Sequence, residues 1–238
     1  MPYGNFRETE LLAHERQWII AGGIVLAALA GYINVILLGF FHVPVSHMSG
    51  AASRVGIDIA RYDFSDLKII AGIIGGFFIG AACSGILIGR STLKPGRRYG
   101  AVLCAEGMIL AVSTRLLLMG SKAAVPIAAI ACGLQNAMAS SYYGLVIRTT
   151  HVTGIVTDLG IMLGHWMRGQ GVRSWKVVLL AGVFLGFIGG GVLGGAALAS
   201  FGVKALWFAA VACVVLGLSY SIRVHFWHSK NLIERSEN

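Results

Sequence analysis

Six apolar runs, 18–41, 67–89, 99–120, 123–147, 177–200 and 204–222, follow one another along the chain with few charges inside them. Each is close to the roughly 20 residues that an α-helix needs to cross the hydrocarbon core of a bilayer. A chain in lipid must satisfy its backbone hydrogen bonds internally, so runs of this length read as transmembrane helices. Composition agrees, because 56% hydrophobic and only 12% charged residues are too apolar a mixture for an ordinary soluble domain. Arg7, Glu8, Glu10, Glu15 and Arg16 precede the first run without a small-residue cleavage site, and the first span is expected to be retained.

Charge placement orients the spans. Arg90, Lys94, Arg97 and Arg98 fill one connection, Arg168, Arg173 and Lys176 another, and Arg223, Lys230 and Arg235 the C-terminal region. The positive-inside rule puts these in the cytoplasm, together with both termini. Arg61, Lys68, Lys122 and Lys204 then fall outside, while Arg54 and Arg115 lie at membrane depth. A net charge of +9 distributed this way flanks spans and forms no stripe for nucleic acid. The four cysteines, Cys83, Cys104, Cys132 and Cys213, sit in four different runs and read as reduced, buried small residues.

A five-residue signature occurs twice, Ser46-His47-Met48-Ser49-Gly50 and Thr150-His151-Val152-Thr153-Gly154, at a spacing of 104 positions that continues through Gly56-Ile57 and Gly160-Ile161. A weaker echo, Gly76-Phe77-Phe78-Ile79-Gly80 and Gly186-Phe187-Ile188-Gly189-Gly190, follows at a spacing of 110. Such self-similarity signals duplication. The orientation above holds only if the two segments that open at the signatures do not cross. Helical portions of about 14 residues reach roughly 21 Å, short of a roughly 30 Å core. The expected fold is therefore an all-α polytopic membrane protein with two inverted three-span repeats, each holding a re-entrant half-helix. Residues 1–16 form a cytoplasmic N-terminal tail, 17–121 the first repeat, 122–224 the second, and 225–238 a cytoplasmic C-terminal tail. Gly72, Gly76 and Gly80, and Gly182, Gly186, Gly190 and Gly194, recur every four residues as helix-packing surfaces.

The N-terminus of a half-helix carries unpaired N–H groups and the positive end of the helix dipole, which favour an anion or the negative end of a polar solute. Ser46, Ser49, Thr150 and Thr153 either cap these donors or turn their hydroxyls to a ligand. Gly50 and Gly154 permit close approach. His47 and His151 either make structural hydrogen bonds or serve substrate binding and proton coupling, since an imidazole titrates near physiological pH. Arg54 and Asp158 hold equivalent places after the two glycines with opposite charge; they either pair across the pseudo-symmetry axis, or act as counter-charge and proton exchanger. Glu106 lies deep in an apolar run, where it is either a proton carrier or a neutral, hydrogen-bonded acid. Asn34, Gln135 and Asn136 precede the signatures and either line a cavity or join helices.

Gly31-Tyr32-Ile33-Asn34 before the first signature, and Gly133-Leu134-Gln135-Asn136-Ala137 before Thr149-Thr150-His151-Val152-Thr153-Gly154, resemble the YoaK-type family of bacterial inner-membrane proteins of unknown function. The family pattern has an acidic residue in place of Asn34 and threonine-glycine-asparagine in place of Ser49-Gly50-Ala51. The resemblance implies a multipass bacterial membrane protein and supplies no activity.

These readings lead to a secondary transporter of a small anionic or polar solute. Its central site lies between the two signatures (Ser46, His47, Ser49, Gly50, Arg54, Gln135, Asn136, Thr150, His151, Thr153 and Gly154), and Glu106, Asp158, His47 and His151 are candidates for proton coupling. A channel lined by the same half-helices, or a non-transporting assembly or sensor protein, is the alternative. No nucleophile–base pair or zinc-binding helix motif points to an enzyme, and no cofactor or metal is expected. The expected partners are the solute or ion and the lipid bilayer, with homo-oligomerisation left open.

Overall fold

A computed structural model describes residues 5–41, 45–64, 66–89, 98–141 and 149–236, and all regular elements among them are helical. In chain order these are α1 (Asn5–Phe41), α2 (Met48–Ala60), α3 (Leu67–Ile88), α4 (Arg98–Leu118), α5 (Ala124–Ser140), α6 (Val152–Met167), α7 (Ser174–Phe201), a 3-10 turn (Gly202–Ala205) and α8 (Leu206–Ser236). Arg90, Lys94 and Arg97, which enter the orientation argument, lie outside the described residues, as do Val43 ahead of the first signature and Arg148 ahead of the second.

Four stretches are long and apolar enough to cross a membrane: Arg16–Phe41, Leu67–Ile88, Arg98–Leu118 and Ser174–His225. The last covers 52 residues, roughly 78 Å as a single straight helix. Gly202 interrupts it with φ 57, a left-handed conformation that glycine adopts without steric cost, so the stretch holds two helices. A shorter apolar helix, Ala124–Ser140, is α5. Pro126 sits in its first turn, where the missing N–H has no intrahelical acceptor to lose. Helix α1 begins at Asn5 and α8 continues to Ser236, so both outer spans extend as helix beyond the apolar runs.

The molecule is apolar outside and holds its polar groups within. Phe78, Ile86, Val192 and Leu193 are exposed, whereas Asn34, Glu106, Thr114 and Gln135 are buried. This is the distribution expected when the surroundings are lipid, where polar side chains turn to the bundle interior. Ile33, Ile36 and Leu37 of α1, Ile73 of α3, Leu110 of α4, Ala128 of α5 and Ala209 of α8 share one core.

Helix pairing crosses between the halves of the chain. The most extensive contacts join α1 to α7, α3 to α5, and α4 to α8. Glycines set the closest approaches. A Cβ on Gly31 would strike the Phe187 carbonyl and one on Gly190 the Ala28 carbonyl; a Cβ on Gly133 would strike the Phe77 carbonyl and one on Gly80 the Ile130 carbonyl. Small residues that let backbones touch are what associate helices in lipid, where no hydrophobic force distinguishes a neighbouring helix from an acyl chain.

The same contacts fix direction. Gly23 faces Leu179 and Val183 while Gly39 faces Leu198, so α1 and α7 are parallel; Gly76 faces Pro126 while Gly80 faces Ile130, so α3 and α5 are parallel. Gly100 faces Gly217 and Ser221, whereas Gly107 faces Ala210 and Cys213, so α4 and α8 are antiparallel. Helix α2, of 13 residues, packs on α3, and α6, of 16 residues, packs on α7; neither packs comparably on the other.

Candidate functional site

Each signature begins with a hydroxyl that binds back to the preceding span. The Ser46 hydroxyl donates to the Asn34 side-chain carbonyl at 2.6 Å, with both residues buried, and the Thr150 hydroxyl donates to that of Asn136 at 3.1 Å. Asn34 lies 12 residues ahead of Ser46 and Asn136 14 ahead of Thr150, so a similar latch is built twice at slightly different spacing. It holds the start of each short helix against the span before it.

With Ser46 and Thr150 committed to asparagines, neither caps a helix. The N-cap residues are His47 and His151, in non-helical conformations, and neither helix has a side-chain cap. The first-turn N–H groups of α2 and α6 therefore keep their donors and the positive end of the helix dipole without a side-chain acceptor. The Ser46 and Thr150 hydroxyls thus bind the preceding spans and do not cap the helix ends.

The two histidines differ in setting. His47 is half-buried, with its ring edge-on to Phe187 of α7 at a centroid distance of 6.0 Å. His151 is exposed, and its imidazole lies over Gly154 so closely that a Cβ there would overlap the ring. The glycine three positions after the histidine thus receives the chain's own imidazole, a reason for the motif that spacing alone does not supply. Ser49 and Thr153 are exposed in the first turns, and Gly50 is half-buried.

Arg54 and Asp158 do not pair. The Arg54 Nε lies 3.0 Å from Asp58 Oδ1, and one terminal nitrogen lies 3.8 Å from Asp66. Asp158 is exposed on α6, with no ion pair among the described residues. The overlooked partner is Asp58, four residues after Arg54 on the same helix face, a spacing that the sequence displays. Asp58 is buried, and its second oxygen has no hydrogen-bond partner.

Gln135 is buried and donates to the Leu26 carbonyl at 3.4 Å, joining α5 to α1. Leu26 and Asn34 are separated by roughly 12 Å of helix rise, so the Gln135 contact and the Ser46–Asn34 bond lie at different levels along α1. Glu106 is fully buried where α4 meets α5 and α8, beside Cys132 and Cys213, and neither carboxyl oxygen has a partner within hydrogen-bonding geometry. No hydrogen bond joins it to either signature. The structure thus gathers Ser46 with Asn34, Thr150 with Asn136, and His151 with Gly154, and keeps Glu106 and Asp158 apart from them. No group of three or more His, Cys, Asp or Glu residues arranged to hold a metal occurs among the described residues.

Apolar helices of this length, with an amide–hydroxyl pair ahead of each short helix, characterise the chain. A family model described as Protein of unknown function (DUF1275) matches residues 22–219. The chain belongs to this family. As a DUF1275 protein it is similar to the UPF0700 transmembrane protein RA0705 of Rhizobium meliloti (strain 1021), with 29% identity over 105 residues. That match covers 44% of this chain and 46% of the relative, so the chain spans about half the length of the curated relative it matches. No solved structure matches the chain. Family, relative and apolar helices agree on a multipass membrane protein of a family whose function is unknown, as the resemblance read from the signatures implies.

Proposed function

We propose that this DUF1275 protein is a secondary transporter of a small anionic or polar solute. It lies in the bacterial inner membrane with both termini cytoplasmic, and is built from two inverted three-span repeats in which α2 and α6 are re-entrant. It is not an enzyme and needs no cofactor. The solute passes between the uncapped N-termini of α2 and α6, with His47 and His151 beside its path and Glu106 carrying the coupled proton; Asp158 is the second proton candidate.

The observation that carries this reading is helix direction. If α2 and α6 both crossed, strict alternation would make α4 and α8 parallel, yet these helices are antiparallel. If only one of them crossed, α1 and α7 would be antiparallel, yet they are parallel. Two non-crossing segments account for both. Their lengths, roughly 20 Å and 24 Å, fall short of a roughly 30 Å core. An odd number of crossings per repeat then turns the second copy over, the arrangement in which transporters use half-helix ends as solute sites. The exchange of partners, α1 with α7 and α3 with α5, is what a two-fold axis in the membrane plane produces.

The decisive experiment is flux in proteoliposomes under an imposed proton gradient, using a panel of labelled monocarboxylates and amino acids. Saturable accumulation against a gradient, abolished in Glu106→Gln and in the His47→Ala/His151→Ala double variant, supports the reading. Flux that is purely downhill and non-saturating makes the protein a channel, and no flux across the panel with full tolerance of the double variant makes it a non-transporting protein.

A further inference from the structure

A cavity of about 250 Å³ opens between α1, α4, α5 and α8, and no residue of either signature lines it. Its walls are apolar, with Leu26, Leu103, Met138 and Leu216 among them, and its polar groups include Ser219 and Arg223. These two stand one helical turn apart on α8, so guanidinium and hydroxyl point along one face. Arg223 stacks over Trp18 with its guanidinium carbon 3.7 Å from the ring centroid, which fixes the charge beside the opening. No carboxylate pairs with it among the described residues.

An exposed guanidinium with no carboxylate against it among the described residues, a hydroxyl beside it and an apolar cleft behind it suit a ligand with two parts. We infer that this cavity binds a compact amphipathic anion, with its oxyanion head on Arg223 and Ser219 and its apolar body between Leu26, Leu103, Met138 and Leu216. Arg is suited to the head, because its planar donors match a carboxylate or phosphate edge. The volume lies just below the usual range for small-molecule pockets, roughly 300–1,000 Å³, and limits the body to a short chain or a single ring.

The arrangement on the other side of the bundle argues that the opening is built in. Ser113-Thr114-Arg115 of α4 echoes Ser221-Ile222-Arg223 of α8. On the α4 side the Ser113 hydroxyl donates across to the Ala124 carbonyl at the start of α5, at 2.8 Å, and the two helices pack extensively. On the α8 side the Ser221 hydroxyl turns back to Gly217 of its own helix, α1 barely touches α8, and Gly22 lines the cavity. This comparison rests on the inverted-repeat reading; the binding itself does not.

The test uses the full chain in phosphatidylcholine nanodiscs with octanoate, octanol and dioctanoylphosphatidylglycerol as probes, read by calorimetry. Octanoate is expected to bind saturably and at least tenfold more tightly than octanol, Arg223→Gln to weaken octanoate at least tenfold, and Leu103→Trp, which fills the cleft, to abolish binding of both. Dioctanoylphosphatidylglycerol that competes and binds more tightly than octanoate assigns the cavity to a membrane lipid; failure to compete assigns it to a soluble anion. Equal binding of octanol and octanoate, no binding of either anion, or an Arg223→Gln variant with unchanged octanoate affinity overturns the inference. Should Arg223→Gln fail to fold, the octanol comparison and Leu103→Trp still decide it. Because binding is read without flux, a failed transport assay leaves this result standing.

Discussion

Between α4 and α5 the bundle is closed by a hydrogen bond and extensive packing, whereas between α1 and α8 it is open around a cavity. The glycine-locked pairs, α1 with α7 and α3 with α5, show no such contrast: in both, glycine carbons lie against carbonyls of the opposing backbone, at Gly31, Gly186, Gly190 and Gly194 in the first pair and at Gly76, Gly80 and Gly133 in the second. Two interfaces are therefore alike and two are not. Interfaces at backbone contact leave little room to slide, so the lesson is that any change of shape is confined to the α1–α8 and α4–α5 sides, with the locked pairs moving as units.

The largest effect tests the locked pairs. Gly80→Leu and Gly190→Leu each drive a side chain into a backbone carbonyl, and each is expected to cost about 3 kcal/mol or more, seen as lost monodisperse protein in detergent. Gly189→Leu, whose surroundings are empty, is the control and should behave as wild type. A strong effect in only one of the two pairs breaks the comparison.

Next comes the unlike pair. In a background without native cysteines, Ser113→Cys with Ala124→Cys should cross-link rapidly with a short bis-thiosulfonate. Gly22→Cys with Ser219→Cys should require a longer spacer, because these residues border the cavity. Equal rates with the short reagent would mean that the cavity closes as often as the other side.

Smaller effects compare the latches. Ser46→Ala removes the donor to a buried Asn34 oxygen and is expected to destabilise by about 1–3 kcal/mol. Thr150→Ala, in a partly buried and longer bond, should fall at the low end of that range. Chemical denaturation of the α-helical signal measures both.

Span positions were legible because length and apolarity alone specify a helix in lipid. The runs 67–89 and 99–120 fall within two residues of α3 and α4. The glycine stripes likewise announced close packing, since a surface without side chains has few other uses. Partner choice was not legible. Helix α7 is apolar all round, so no polar face marks which side meets α1, and the exchange between halves appears only when backbones are placed. Within the site, the asparagines and hydroxyls were visible as residues, but their bonding depends on how the chain turns between span and half-helix. Arg54 and Asp158 drew attention through pseudo-symmetry, while the nearer partner, Asp58, followed from simple helix geometry. The cavity residues Ser219 and Arg223 carried a signal four positions apart that the positive-inside rule had already absorbed.

The crossing of partners between halves also sets an order of events during synthesis. Gly80 of α3 meets Ile130 after roughly 50 further residues, on the order of 3–10 s at about 5–20 residues per second, whereas Gly31 of α1 meets Phe187 only after roughly 150 residues, on the order of 8–30 s. For that interval the glycine groove of α1, with Gly23, Gly31 and Gly39, is without its α7 partner, while Asn34 has Ser46 within reach twelve residues on. Helix α1 is made before α3 and finds its main partner after α3 does, its groove filled only when α7 arrives.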